Sequence, residues 1–185
     1  MAILNVHCAI ALLVTTFLLP PKLPAADDGA QAADVYALMA VYVQNFAKFT
    51  TWPVASFTDP AAALNLCILG EDPFGMALTK VDGSKIRSHP LRIKHYPRVA
   101  VLSGCHIVFV SRSEQWRLAQ ILHDLAAAPI LTVSDIPDFS RQGGMITLST
   151  VDRRLRFAIN PAAVARAGLM LSSKLLELAQ IVGSD

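Results

Sequence analysis

Apolar residues recur along this chain with two periods, and each change of period marks a new element. From Asp34 to Thr50 the spacing is helical: Val35, Leu38, Met39, Tyr42, Phe46 and Phe49 follow a three-four rhythm. Asp34 is placed to cap the first turn, and Trp52-Pro53 ends the helix because the residue before a proline avoids helical angles. Leu64 to Leu69 is a continuous apolar run stopped by Gly70, which predicts a buried strand. Asp72-Pro73 starts a short helix reaching Val81. A turn around Asp82-Gly83 leads into two alternating stretches, Lys85 to Arg87 and Leu91 to Tyr96, suited to half-buried strands. Cys105 to Val110 is again continuously apolar. Ser113 then caps a helix from Glu114 to Ala127, with Trp116, Leu118, Ile121, Leu122 and Leu125 available for its core side. Pro129 to Val133 is the next buried strand, ending at Ser134-Asp135.

Beyond Phe139 the pattern changes again. Gly143-Gly144 opens an alternating strand from Met145 to Thr150, and a basic turn leads into a second from Leu155 to Ile159. Asp152 and the Arg153-Arg154 turn join them as an antiparallel hairpin. Two helical segments close the chain. Strands that alternate with helices and are apolar on both faces predict an α/β fold. The expected architecture is a single-domain three-layer sandwich, with a mostly parallel sheet, helices on both faces, and a C-terminal hairpin plus helices.

The N-terminus reads differently. Ala9 to Leu19 is an apolar run of signal-peptide length, too short to span a bilayer, and Pro20, Pro21 and Pro24 break any helix after it. Ala25-Ala26 offers a small-residue cleavage site before Asp27-Asp28. Residues 1–26 are therefore read as an export signal and residues 27–185 as the mature domain. An uncleaved anchor or a buried N-terminal helix is the competing reading, because no Lys or Arg precedes the apolar run. Export changes how the cysteines are read. Cys8 leaves with the signal, and Cys67 and Cys105 remain as an even pair in an oxidising compartment, which favours a disulfide over two separate buried thiols.

Composition narrows the function. Hydrophobic residues make up 54% and charged residues 16%, which excludes a disordered chain, and a formal charge of +2 gives no basic face for nucleic acid. No nucleophile elbow, phosphate loop or metal-ligand spacing is present, so the chain reads as a binding protein and not an enzyme. His89, His95, His106 and His123 are scattered without ligand spacing, so no metal is expected.

Several residues remain as candidate sites. Asp135 follows a parallel-type strand, where open α/β sheets bind ligands, and Gly143-Gly144 offers bare backbone amides. A loop-capping Asp and a tight glycine turn are the structural alternatives. Leu169, Leu171, Leu175, Leu176 and Leu178 supply more apolar surface than one core stripe needs, and with Arg153 and Arg154 they form the candidate partner surface.

Taken in order, several segments together resemble the YfiR family of periplasmic regulators. They begin with Asn45-Phe46-Ala47-Lys48-Phe49 before Trp52-Pro53, and Leu66-Cys67-Ile68-Leu69-Gly70 before Asp72-Pro73-Phe74-Gly75. Cys105-His106-Ile107-Val108-Phe109 and Leu131-Thr132-Val133-Ser134-Asp135 follow. The last are Phe139, Gly143-Gly144-Met145-Ile146, Arg156-Phe157-Ala158-Ile159-Asn160 and Leu171-Ser172-Ser173-Lys174-Leu175-Leu176. The resemblance runs from Tyr36 to Ile181. It implies an exported α/β protein without cofactor that inhibits an inner-membrane diguanylate cyclase through the cyclase's periplasmic region. It further implies an outer-membrane lipoprotein that draws the regulator away, raising cyclic di-GMP and biofilm formation, and a homodimer. Some members carry a second disulfide near the glycine pair, and this chain has no cysteine there. A periplasmic small-molecule receptor, or an accessory protein for another envelope sensor, is the alternative.

Overall fold

The computed structural model describes residues 28–97 and 102–183. The export signal expected over residues 1–26 lies outside the described residues. The first helix, α1 (Asp28–Phe49), starts earlier than the apolar rhythm suggests. Ala30, Gln31, Ala32 and Ala33 are strong helix formers without an apolar period, so they extend the helix and leave Asp34 inside it instead of capping it. Met39, Val43, Phe46 and Ala47 face inward.

Among the described residues ten strands follow: β1 (Thr50–Thr51), β2 (Leu64–Leu69), β3 (Lys85–Ile86), β4 (His89–Tyr96), β5 (Ile107–Val110), β6 (Leu131–Ser134), β7 (Ile146–Val151), β8 (Arg154–Ile159), β9 (Met170–Leu171) and β10 (Gln180–Ile181). Three shorter helices are α2 (Leu118–Leu125), α3 (Pro161–Arg166) and α4 (Ser173–Glu177). Eight strands form one sheet in the order β10-β8-β7-β6-β5-β2-β4-β3. The run from β4 through β2, β5 and β6 to β7 is parallel throughout, and the continuous apolar strands β2, β5 and β6 at its centre predict this. β8 returns antiparallel to β7, which is the expected hairpin, and β3 is antiparallel to β4. β1 and β9 pair separately. The fold is thus mixed α/β around a mostly parallel sheet.

Alternate residues of the central strands enter two different cores, as the two-residue period of a strand requires. Leu66, Ile68, Ile107, Phe109, Leu131 and Val133 pack with α1. Cys67, Leu69, Val108 and Val110 pack with Leu118, Ile121 and Leu125 of α2. Asn160 fixes the start of α3: its side-chain oxygen accepts from the Ala163 N–H at 3.0 Å, with Pro161 in the first turn.

Two further helices differ from expectation. The segment after Asp72-Pro73 is a 3₁₀ helix, Gly75–Lys80, entered where Asp72 Oδ1 accepts from the Phe74 N–H at 2.8 Å. The helix expected from Glu114 to Ala127 divides into a 3₁₀ segment, Arg112–Arg117, and the shorter α2. Ser113 does not cap it. Its hydroxyl accepts from the Glu71 N–H at 3.0 Å and ties the segment to the end of β2. A 3₁₀ segment turns three residues per revolution, which shifts Trp116 off the core face and leaves it 82% exposed.

Candidate functional site

Cys67 in the middle of β2 and Cys105, just ahead of β5, are joined by a disulfide with a Cα–Cα distance of 5.9 Å. The parallel pairing of β2 with β5 brings them together. The next residue, His106, is buried, and both its ring nitrogens are engaged by backbone. Nδ1 accepts from the Asn65 N–H at 3.1 Å, and Nε2 lies 3.0 Å from the Ser56 carbonyl, which only accepts. The ring is therefore neutral with its proton on Nε2, and neither nitrogen is free for a metal. Burial pushes its pKa below the usual 6.5, and the neighbouring His89 and Lys94 add to that, against the bond to Ser56.

Protonation at Nδ1 would abolish the bond from Asn65. A lowered folded pKa contributes stability that is present above about 6.5 and is lost as pH falls through the lower folded value. Stability should therefore decline on acidification below about pH 6.5, and His106→Gln should remove that part of the decline. Chemical denaturation at a series of pH values tests this. Identical acid limbs for the two proteins would defeat it.

At the opposite ends of the strands, Asp135 follows β6. Its Oδ2 accepts from the Tyr36 hydroxyl at 2.8 Å and from Arg112 Nε at 2.7 Å, and Arg112 also donates to the Asp135 carbonyl at 3.1 Å. Burial, then the hydrogen bond to Asp135, raise the Tyr36 pKa to about 12. Asp135 Oδ1 is buried and has no partner among the described residues. Asp135 lines a polar cavity of about 360 Å³ with Arg112, Ser140, Arg141 and Thr147. Ser134 closes the same loop, donating to the Val110 carbonyl and accepting from the Ile136 N–H.

The glycine pair does not join that cavity. Gly143 adopts a left-handed φ of 107° and borders a separate small pocket beside α2 and Arg166. A Cβ on Gly144 would overlap the Phe139 ring, so this glycine serves close packing. Asp135 and the glycines thus occupy different places.

The C-terminal leucines divide in the same way. Leu169 and Leu175 are buried, Leu171 and Leu176 are half-buried, and Leu178 is 76% exposed. Arg153 and Arg154 are exposed at the hairpin end, where Asp152 and Arg153 both take left-handed backbone angles. Such angles suit a two-residue loop between twisted strands.

Between α1, the hairpin and α4 runs a groove of about 800 Å³. Tyr42, Phe46, Leu155 and Phe157 form its walls, and Phe49, Val151 and Leu178 lie at its margins, all exposed. Tyr42, Phe46 and Phe157 pack edge-on or tilted at 5.2–6.1 Å. The sequence offers Phe46, Phe49 and Trp52 as either an aromatic interaction patch or, by their buried-helix spacing, core residues, and it does not single out Val151. An apolar residue beside a hairpin turn, on the hairpin face that otherwise carries Ser149, Arg154 and Arg156, is the available signal.

Among the described residues no group of three or more His, Cys, Asp or Glu side chains is arranged to hold a metal. No described helix is long and apolar enough to cross a membrane. The described residues thus form a mixed α/β fold with an aromatic-walled groove and a polar cavity at the strand ends. The YfiR/HmsC-like family matches residues 36–180, and the chain belongs to that family. The family is regulatory, not catalytic.

Proposed function

We propose that this chain is a periplasmic regulatory protein that holds an inner-membrane diguanylate cyclase inactive by binding its periplasmic sensor region, and so lowers cyclic di-GMP. The family match over residues 36–180 is the observation that carries this reading. The reading takes residues 1–26 as the export signal and residues 27–185 as one three-layer domain. The exposed apolar margin of the groove, Phe49, Val151 and Leu178, with Arg153 and Arg154 nearby in sequence, supplies a surface for the cyclase. A regulator that prefers the inactive conformation of its partner shifts the population toward it, and the shift is bounded by its differential affinity for the two conformations. An outer-membrane lipoprotein competing for the same surface would release the cyclase.

The test is cyclic di-GMP in cells with and without the gene, restored with and without residues 1–26. Deletion should raise the nucleotide, and only the form carrying residues 1–26 should reverse the rise. Unchanged levels on deletion in cells that contain a responsive cyclase, or full reversal by the form lacking residues 1–26, would refute the reading.

A further inference from the structure

A further concavity lies at the N-terminal ends of β2 and β4, at the far end of the sheet from Asp135. It encloses about 440 Å³, within the range of about 300–1,000 Å³ found for small-molecule sites. Trp52, Phe57, Leu64 and Ile86 form apolar walls, and Arg87 and His89 stand at its polar side. We propose that this cavity binds a small amphipathic carboxylate, its apolar body against those walls and its carboxylate on Arg87.

Both polar groups are held in place by backbone carbonyls, and Arg87 keeps donor capacity to spare. The Phe57 ring is stacked between two imidazoles, His89 at 4.0 Å and His106 at 4.5 Å between centroids. His89 Nδ1 lies 2.7 Å from the Ala62 carbonyl, which only accepts, so Nδ1 carries a proton. The imidazole proton is thereby spent on Ala62, so a carboxylate head is met by Arg87 and not by this ring. Arg87 donates one guanidinium N–H to the Lys48 carbonyl at 3.2 Å, at the C-terminal end of α1. It makes no ion pair among the described residues, so the remaining edge of its donor fork is open to a planar carboxylate. The cavity's one acidic residue, Asp59, already accepts from the Ala61 N–H at 2.7 Å. The remaining donors therefore favour an anionic head over a cationic one.

Arg87 occupies an unusual position for its type. It lies in the two-residue turn between β3 and β4 with φ of 56°, where Gly or Asn is the conformationally favoured choice. Turn geometry alone does not call for a guanidinium there. This separates the test from folding, because Arg87→Asn suits the turn at least as well as the native residue does.

Isothermal titration of octanoate and of 4-phenylbutyrate into the purified protein is the experiment. At least one should bind saturably, and Arg87→Asn should weaken that binding by about tenfold or more while leaving the thermal midpoint undiminished. Octan-1-ol and octylamine, which keep the body and change the head, should bind the native protein about tenfold more weakly or worse. The proposal is overturned if neither carboxylate binds in the millimolar range, if Arg87→Asn binds as well as the native protein, or if octylamine binds best. None of these readouts involves a cyclase, so the result stands apart from the regulatory reading.

Discussion

Cys67→Ser should lower stability by about 4 kcal/mol or more and the thermal midpoint by about 10 °C. The two cysteines are 38 residues apart, and removing a cross-link over that length returns about 4 kcal/mol of chain entropy to the unfolded state. A second cost falls on the folded state. Cys67 is fully buried among Leu69, Val108 and Ile121, so a serine hydroxyl there meets apolar neighbours, at about 1–3 kcal/mol if it finds no partner. The two costs separate by comparison. Oxidised native protein should be the most stable, the reduced native protein next, and Cys67→Ser the least. Thermal unfolding with and without reductant reads this order, and a native midpoint indifferent to reductant would show that the bond contributes nothing.

Gly144→Ala should cost about 3 kcal/mol, a large effect for a single methyl group. Its Cβ would overlap the Phe139 ring, which is fully buried in the core on the α2 side. The ring has little room to yield, because the same turn holds both residues: the Gly144 N–H donates to the Phe139 carbonyl at 2.9 Å. Phe139→Leu should relieve the overlap, so the double variant should be more stable than the sum of the single changes by about 1 kcal/mol or more. Strict additivity in denaturant unfolding would remove the packing explanation and return Gly144 to a ligand-binding role. Gly143 differs, since its left-handed φ of 107° penalises any side chain regardless of space.

The contrast between neighbouring glycines shows where sequence reading stops. The pair announces a tight backbone, yet only coordinates separate a glycine needed for its φ from one needed for its missing Cβ. Ser113 and Trp116 make the same point. Serine before a helical run reads as a cap, but its hydroxyl is taken by the Glu71 N–H, 42 residues away. Asp135 was legible as a candidate because it follows a parallel strand. Its partner Tyr36 was not, because 99 residues separate them and nothing local links their spacing.

The sequence by itself determined the family, the buried strands and their mostly parallel sheet, the β7–β8 hairpin and the even cysteine pair. Each of these rests on local information: apolar period, turn residues, or motifs in a fixed order. Only the tertiary structure decided which leucines reach the surface, that Phe49, Val151 and Leu178 border one groove, and that His106 is locked neutral between two backbone groups. Those features arise where segments distant in the chain meet. The period of one segment reports which of its faces is buried, but carries no record of what lies opposite.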